Sequence, residues 1–351
     1  MKAFAYLLLF GCIALAVACV TEFQPDNLSM EPALVIEGQI TDQPGPYFVR
    51  LTRTADYSIR SINLLETGAT VTIEDDLGNR ETLTESGVGG TYQTRAGGIR
   101  GVAGRSYRLI IQTRAGRRYE STQETLSPAP PIDSIYSAYR NEPVPGTVVR
   151  NQGWDVYVDT KDPDTLGNFY RWEWVNYEQT FICQKTQLKD GSYTGLYCCS
   201  DCWDINRCYN CIDINSDVNI NGRAISGQLI TRVPYTSRGP YYLEVQQQAL
   251  SRGAYQYWKS VRQLVTNTGG PFDAAPSSVR GNVRCVSDPN QAAYGYFGAT
   301  GIAEGHLYVD RSAGEGQPAL QPPVTVPVPS PCVVCANDGY RTPVKPRWWF
   351  Y

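Results

Sequence analysis

Cysteine is the residue type with the widest chemical reach in this chain. Eleven occur, and nine lie in the second half: Cys183, Cys198, Cys199, Cys202, Cys208, Cys211, Cys285, Cys332 and Cys335. Cys199-x-x-Cys202 and Cys208-x-x-Cys211 have the spacing of paired zinc knuckles, whose four thiolates would hold a structural ion. Only Trp203 to Arg207 separates the two pairs, a shorter loop than separate knuckles use. Cys332-x-x-Cys335 repeats the spacing, but a redox-active CxxC opens a helix after a strand, and nothing around these motifs reads that way. Cross-linking is the remaining use. We expect all nine as structural disulfide candidates, with Cys183 to Cys211 forming a local cluster and Cys332 and Cys335 stapling the tail. Nine is odd, so at least one thiol has no partner within the chain.

Other catalytic chemistry has little to build on. His306 is the sole histidine, which excludes a multi-histidine metal centre and HExxH, and obliges any Ser-His-Asp or Cys-His site to use that one ring. It sits in Gly-His-Leu-Tyr-Val, a strand pattern, and reads as structural. There is no GxSxG nucleophile elbow and no P-loop. Glu173 with Glu178, or Asp159, Asp162 and Asp164, are the acids that glycosidase chemistry would need; solvated loop acids explain them as well. Asp213-x-Asn215-x-Asp217-x-Asn219-x-Asn221-Gly222 resembles a calcium loop, but Val218 stands where the EF-hand glycine belongs. No catalytic residue, metal ligand or cofactor is therefore expected.

The front of the chain speaks to compartment. Lys2 precedes an apolar run from Ala3 to Ala18 that is too short to span a bilayer comfortably and suits a secretory signal over 1–18. Ala16-Val17-Ala18-Cys19 has small residues before a cysteine, as a lipobox does, so Cys19 is the expected lipidation site; ordinary cleavage after Ala18 is the alternative. Residues 19–32 are polar and proline-containing, as a tether should be. Export favours disulfides over metal capture by the thiols. With 31 Lys and Arg against 34 Asp and Glu, a large nucleic-acid surface is excluded.

The elements that must carry these residues are mainly strands. In 33–127 Leu34, Ile36 and Ile40, then Tyr47, Val49 and Leu51, Val71 and Ile73, and Tyr107, Leu109 and Ile111 alternate with polar residues, the period of half-buried strands. Turns fall at Asp76-Leu77-Gly78-Asn79 and Ala115-Gly116. An immunoglobulin-like or fibronectin-like β-sandwich is expected there. Ser127-Pro128-Ala129-Pro130-Pro131 interrupts the pattern and marks a boundary. Residues 132–312 then read as a second β-rich, cysteine-containing domain, with strands at Trp154–Asp159, Phe169–Val175, Val218–Ile225, Leu229–Val233, Tyr241–Gln247 and Tyr294–Thr300. One helix is expected over 251–266, capped by Ser251 and stapled by Leu250 and Tyr255, with Ala254, Trp258, Val261 and Val265 packing into the core. Residues 313–331 form a Pro/Gly-rich linker, and 332–351 a tail whose Trp348-Trp349-Phe350-Tyr351 must dock on something. The fold class is all-β with one amphipathic helix.

Several of these segments resemble an uncharacterised family of Bacteroidetes-type outer-membrane lipoproteins, DUF4249. Leu34 to Asp42 and Gly68 to Ile73 resemble its first sandwich. Glu244-Val245-Gln246-Gln247, Leu250-Ser251, Tyr255 to Lys259, Gly270 to Asp273, Pro276, Gly281-Asn282-Val283 and Gly295-Tyr296-Phe297 form the most specific stretch. Cys332-x-x-Cys335 with Val344-Lys345-Pro346 and Trp349 resembles its ending. The resemblance implies lipid anchoring, genes that often accompany TonB-dependent receptors, and no established catalytic residues. The expectation is a lipid-anchored outer-membrane accessory or binding protein, partnered with an outer-membrane barrel and not with nucleic acid. A surface hydrolase acting on glycan or peptide, and a structural or adhesive envelope component, are the alternatives.

Overall fold

The computed structural model describes residues 32–54, 64–147, 150–184, 198–208, 212–266, 279–318, 335 and 337–350. Cys19 with the signal and nearly all the tether, Cys211, Cys332 and most of the 313–331 linker lie outside the described residues.

The first half supplies β1 (Leu34–Thr41), β2 (Phe48–Arg53), β3 (Leu64–Leu65), β4 (Thr70–Asp75), β5 (Arg80–Thr82), β6 (Thr84–Glu85), β7 (Thr91–Gln93), β8 (Ser106–Gln112), β9 (Arg118–Ser121) and β10 (Glu124–Thr125). After the proline segment come β11 (Ile132–Pro143), β12 (Arg150–Lys161), β13 (Phe169–Gln184), β14 (Cys198–Arg207), β15 (Asp213–Ser216), β16 (Ala224–Pro234) and β17 (Tyr241–Leu250). Helix α1 (Arg252–Thr266), β18 (Val283–Cys285), β19 (Ala293–Val309) and β20 (Arg341–Thr342) complete the chain. Among the described residues the fold is mainly β with one α-helix, as expected.

One large sheet organises the molecule, in the order β20-β14-β13-β17-β19-β1-β2-β7-β6, with β15 beside β13 and β3 beside β2. A second sheet, β18-β9-β8-β4-β5 with β10 beside β8, covers one half of it. Between them the alternating side chains of β1, β2, β4 and β8 meet Tyr92, Tyr119, Phe297 and Ala299 in a closed core. The third sheet, β11-β12-β16, covers the other half, burying Trp154, Val156, Trp172, Leu243 and Val245.

The sandwich expected over 33–127 is thus not closed by those residues alone. Its core takes Val283, Cys285, Phe297 and Ala299 from far along the chain, and β1 pairs in parallel with β19, Leu34 opposite Ala293 through Thr41 opposite Thr300. A parallel neighbour needs a long crossover, and here most of the second unit is that crossover. Gly295 permits the approach: its φ is +88°, and a Cβ there would lie 1.9 Å from the Ile36 carbonyl oxygen.

The proline segment, expected as a linker, is tied down by Gln247. This fully buried amide accepts from Trp172 Nε1 at 3.0 Å and donates to the Pro130 carbonyl at 2.8 Å and to Thr160 Oγ1 at 3.1 Å. One expected strand is absent: 218–223 forms a turn, opened by a 3-10 segment at Asp217–Asn219, and β16 begins only at Ala224. The Asp217 carboxylate pins that turn by accepting the Gly167 and Asn168 amides at 2.6 and 2.9 Å. Helix α1 starts as expected, with Ser251 Oγ accepting the Ala254 amide at 3.0 Å. Its burial is shallower than a core helix: Ala254 alone is buried, and Val265 is exposed.

Candidate functional site

Strand alternation gives the large sheet two unlike faces. Trp172, Leu243, Val245 and Ile36 point into the two cores. Their neighbours Arg171, Glu173, Gln246, Gln248, Glu304 and Glu37 point to the opposite face, which no second sheet covers among the described residues. The register sets these in rows, Arg171 opposite Gln248, Glu173 opposite Gln246, and Gln246 opposite Glu304. Helix α1 lies over one end of this face, packing Tyr255 and Trp258 with Phe169, Leu250 and Tyr296. The C-terminal segment lies over the other end, where Trp349 is buried with Trp203 and Tyr242.

A cleft of about 520 Å³ runs between α1 and strands β13, β17, β19, β1 and β2. The Arg171 guanidinium carbon sits 3.8 Å from the centre of the Trp258 ring, and its ion pair is with Glu173. Gln248 Nε2 donates to the other Glu173 oxygen at 2.9 Å. Arg171 Nε and Gln248 Oε1 are buried without a hydrogen-bond partner among the described residues. Burial pushes the Arg171 guanidinium below its ordinary range, and the Glu173 carboxylate offsets this. Tyr257 packs at 5.1 Å from Tyr296, its phenol pushed up first by burial and then by the Glu37 carboxylate. At the mouth, Phe48 is 52% exposed, and Glu37 and Arg50 are exposed on paired strand positions.

Glu173 also lines a second cleft of about 270 Å³, with Glu244, Gln246, Glu304, Arg207 and Trp348 around it. Each carboxylate there is already engaged. Glu304 receives Gln246 Nε2 at 3.0 Å and Arg347 Nη1 at 2.9 Å. Glu244 accepts the Tyr242 hydroxyl at 2.6 Å; burial pushes its pKa up, the Tyr242 bond opposes this, and Glu304 adds to it.

The sequence candidates fall as follows. Glu173 and Glu178 are on opposite faces of β13, as an odd separation along a strand requires, so they form no catalytic pair. Asp159 accepts the Gly227 amide at 2.7 Å and Ser134 Oγ at 3.0 Å. Asp162 is buried, accepting the Tyr170 hydroxyl and the Gly222 amide. In the calcium-like run Asp213 accepts Gln228 Nε2, and Asp217 holds the turn described above. Among the described residues no group of three or more His, Cys, Asp or Glu is placed to hold a metal ion, and no helix is long and apolar enough to cross a membrane. His306, opposite Glu244 on β19, stacks on Trp348 at 4.9 Å.

Cys202 is bonded to Cys335, so the tail is fastened to the cysteine-rich strands and not closed on Cys332. The pairing of β20 with Trp203 and Asp204 of β14 brings Cys335 to that partner. Cys208 is also disulfide-bonded, and the backbone register sets Cys183 opposite Cys199. Cys285, expected among the disulfide partners, is instead a buried free thiol. It was drawn into the first core when β18 paired with β9, in a sheet whose other strands carry no cysteine.

Sequence reasoning missed Arg171, Gln248, Glu37 and Phe48 as members of one cleft. The available signal was in Phe169 to Val175, where Arg171 and Glu173 alternate with aromatic and aliphatic residues. Of the stripe read as helix core, Ala254 and Trp258 pack with Phe169 and Leu250 and, with Val261, also line the cleft, while Val265 is exposed.

A family model described as a domain of unknown function, DUF4249, matches residues 20–305. The chain belongs to the DUF4249 family. The DUF4249 match takes in α1 and every residue that lines the larger cleft, while Arg347, Trp348 and Cys335 lie beyond it. Among curated proteins no relative matches.

Proposed function

We propose that this DUF4249 protein is a lipid-anchored binding protein of the outer membrane, serving a barrel partner such as a TonB-dependent receptor. Acylated Cys19 and the polar tether would hold the β body at the bilayer, and the uncovered face of the large sheet would take the ligand. The observation that carries this reading is the cleft under α1. It is roomy, walled by aromatic rings, and floored by polar groups on central strands, the composition of a ligand site. Glu173 and Glu178 lie on opposite faces of β13, so the carboxylate pair that the hydrolase alternative calls for is not brought together there, which favours binding.

Two measurements on protein extracted from native membranes test it. Mass spectrometry of the mature N-terminus should find acyl chains on Cys19, and affinity purification should recover an outer-membrane barrel. An unmodified N-terminus on freely released protein would overturn the anchor, and purification without a barrel would overturn the accessory role. Deletion that impairs attachment but leaves nutrient uptake intact would favour the adhesive alternative.

A further inference from the structure

We infer that the cleft under α1 takes a neutral oligosaccharide. This rests on the binding reading above and names its ligand class.

Charge within the cleft is balanced. Arg171 is paired with Glu173, and Arg50 stands opposite Glu37. A phosphate or a polyanion would need guanidinium groups without such counter-ions. An extended peptide that adds to a sheet requires a free strand edge. Here β13, β17, β19, β1 and β2 are each paired on both sides, so the floor offers side chains and not backbone. A lipid tail would have to lie across Glu37, Gln39 and Glu173 and strip water from them, which is costly without replacement hydrogen bonds.

A sugar ring meets every one of these conditions. Its apolar C–H face can lie on the exposed Phe48 ring or against the half-buried Tyr257 ring, while its rim hydroxyls both donate and accept. Planar amide, carboxylate and guanidinium groups answer that pattern, each offering two atoms side by side. Gln39, Glu37 and Arg50 present those groups at the mouth. The cleft meets the second one at Glu173, and Trp348 stands in the wall of the latter. A chain of several sugar units would lie along the face from Phe48 towards Trp348, so the ligand is an oligomer and not a monosaccharide.

The test uses full-length protein in detergent with a panel of short gluco-, manno- and galacto-oligosaccharides, read by calorimetry and tryptophan fluorescence. At least one should bind, with affinity rising with chain length. Phe48→Ala and Glu37→Gln alter exposed positions that the fold does not use, and each should weaken binding at least about tenfold. Leu229→Ala, on the third sheet, should leave it unchanged. If no oligosaccharide binds, or if Phe48→Ala has no effect on binding, the inference falls; tighter binding of uronate-bearing chains would refute neutrality. If the panel fails but a native ligand still co-purifies and is lost in Phe48→Ala, the binding reading stands without the sugar. If neither variant changes what co-purifies, both fall.

Discussion

Arg171 sits over the Trp258 ring, its guanidinium carbon 3.8 Å from the ring centre, while Glu173 two residues along the same strand pairs with it. This stack joins helix α1 to the open face of the sheet and forms one wall of the cleft. Arg171→Met should destabilise the protein by about 2 kcal/mol, since it leaves a half-buried carboxylate without its counter-ion. Arg171→Lys should fall in between, keeping charge but losing the planar contact. Chemical denaturation followed by tryptophan emission measures both.

Gln247 is the hinge pin between the two halves of the chain. Its replacement by leucine would leave Trp172 Nε1 and the Pro130 carbonyl without their partner in a fully buried setting. A loss of about 2 to 6 kcal/mol is expected, from about 1 to 3 kcal/mol for each of the two buried polar groups left unsatisfied. Proteolysis should then cut first at 127–131.

The parallel pairing of β1 with β19 depends on Gly295. Gly295→Ala places a methyl against the Ile36 carbonyl at a positive φ and should cost about 3 kcal/mol or more. Gly298→Ala, three residues along the same strand, meets nothing closer than 3.6 Å and should cost less than about 1 kcal/mol. If the sandwich folded from 33–127 alone, Gly295→Ala would leave near-native β signal in that half; joint loss of both halves is expected.

Asp213 sets a pH dependence. Burial raises its pKa to about 6, against the opposing Gln228 bond and Arg262 charge. Between the unfolded value near 3.8 and this one the folded protein holds a proton that the unfolded chain has released. This contribution to stability is therefore full at low pH and is lost as pH rises through about 6. Asp213→Asn should match wild type below pH ~3.5 and exceed it by about 1 kcal/mol at pH ~7.5, the figure being reduced because water still reaches the group. Unfolding midpoints across that range read the difference.

The Cys202–Cys335 bond closes a long loop and holds the aromatic tail. Cys335→Ser should lower stability by about 2 to 4 kcal/mol and let protease remove 337–350. The smaller cleft, which includes Trp348, should open with it.

Much of this architecture was legible in the residues because it rests on local rules. The period-two runs at Leu34 to Ile40 and Tyr107 to Ile111, the Asp76-Leu77-Gly78-Asn79 turn and the Ser251 cap each follow from backbone and hydrogen-bond chemistry within a few residues. What stayed hidden is set by distant pairing. Nothing near Leu34 states that its neighbour is Ala293, and so nothing marked Cys285 as part of the first core or Cys335 as the partner of Cys202. The cleft was hidden for the same reason, since Arg171, Gln248, Glu37 and Trp258 meet only after four separate segments are laid side by side. The turn at 218–223 was misread because alternating isoleucine and valine look like a strand until the Asp217 carboxylate captures two amides from another loop.

Hydrogen exchange on the protein with and without an added oligosaccharide tests the proposed location of function most directly. Slowed exchange should concentrate in β1, β13, the first part of β19 and α1, the elements that frame the cleft. Protection confined to β11, β12 and β16, or no difference at all, would contradict the assignment of this face as the binding surface.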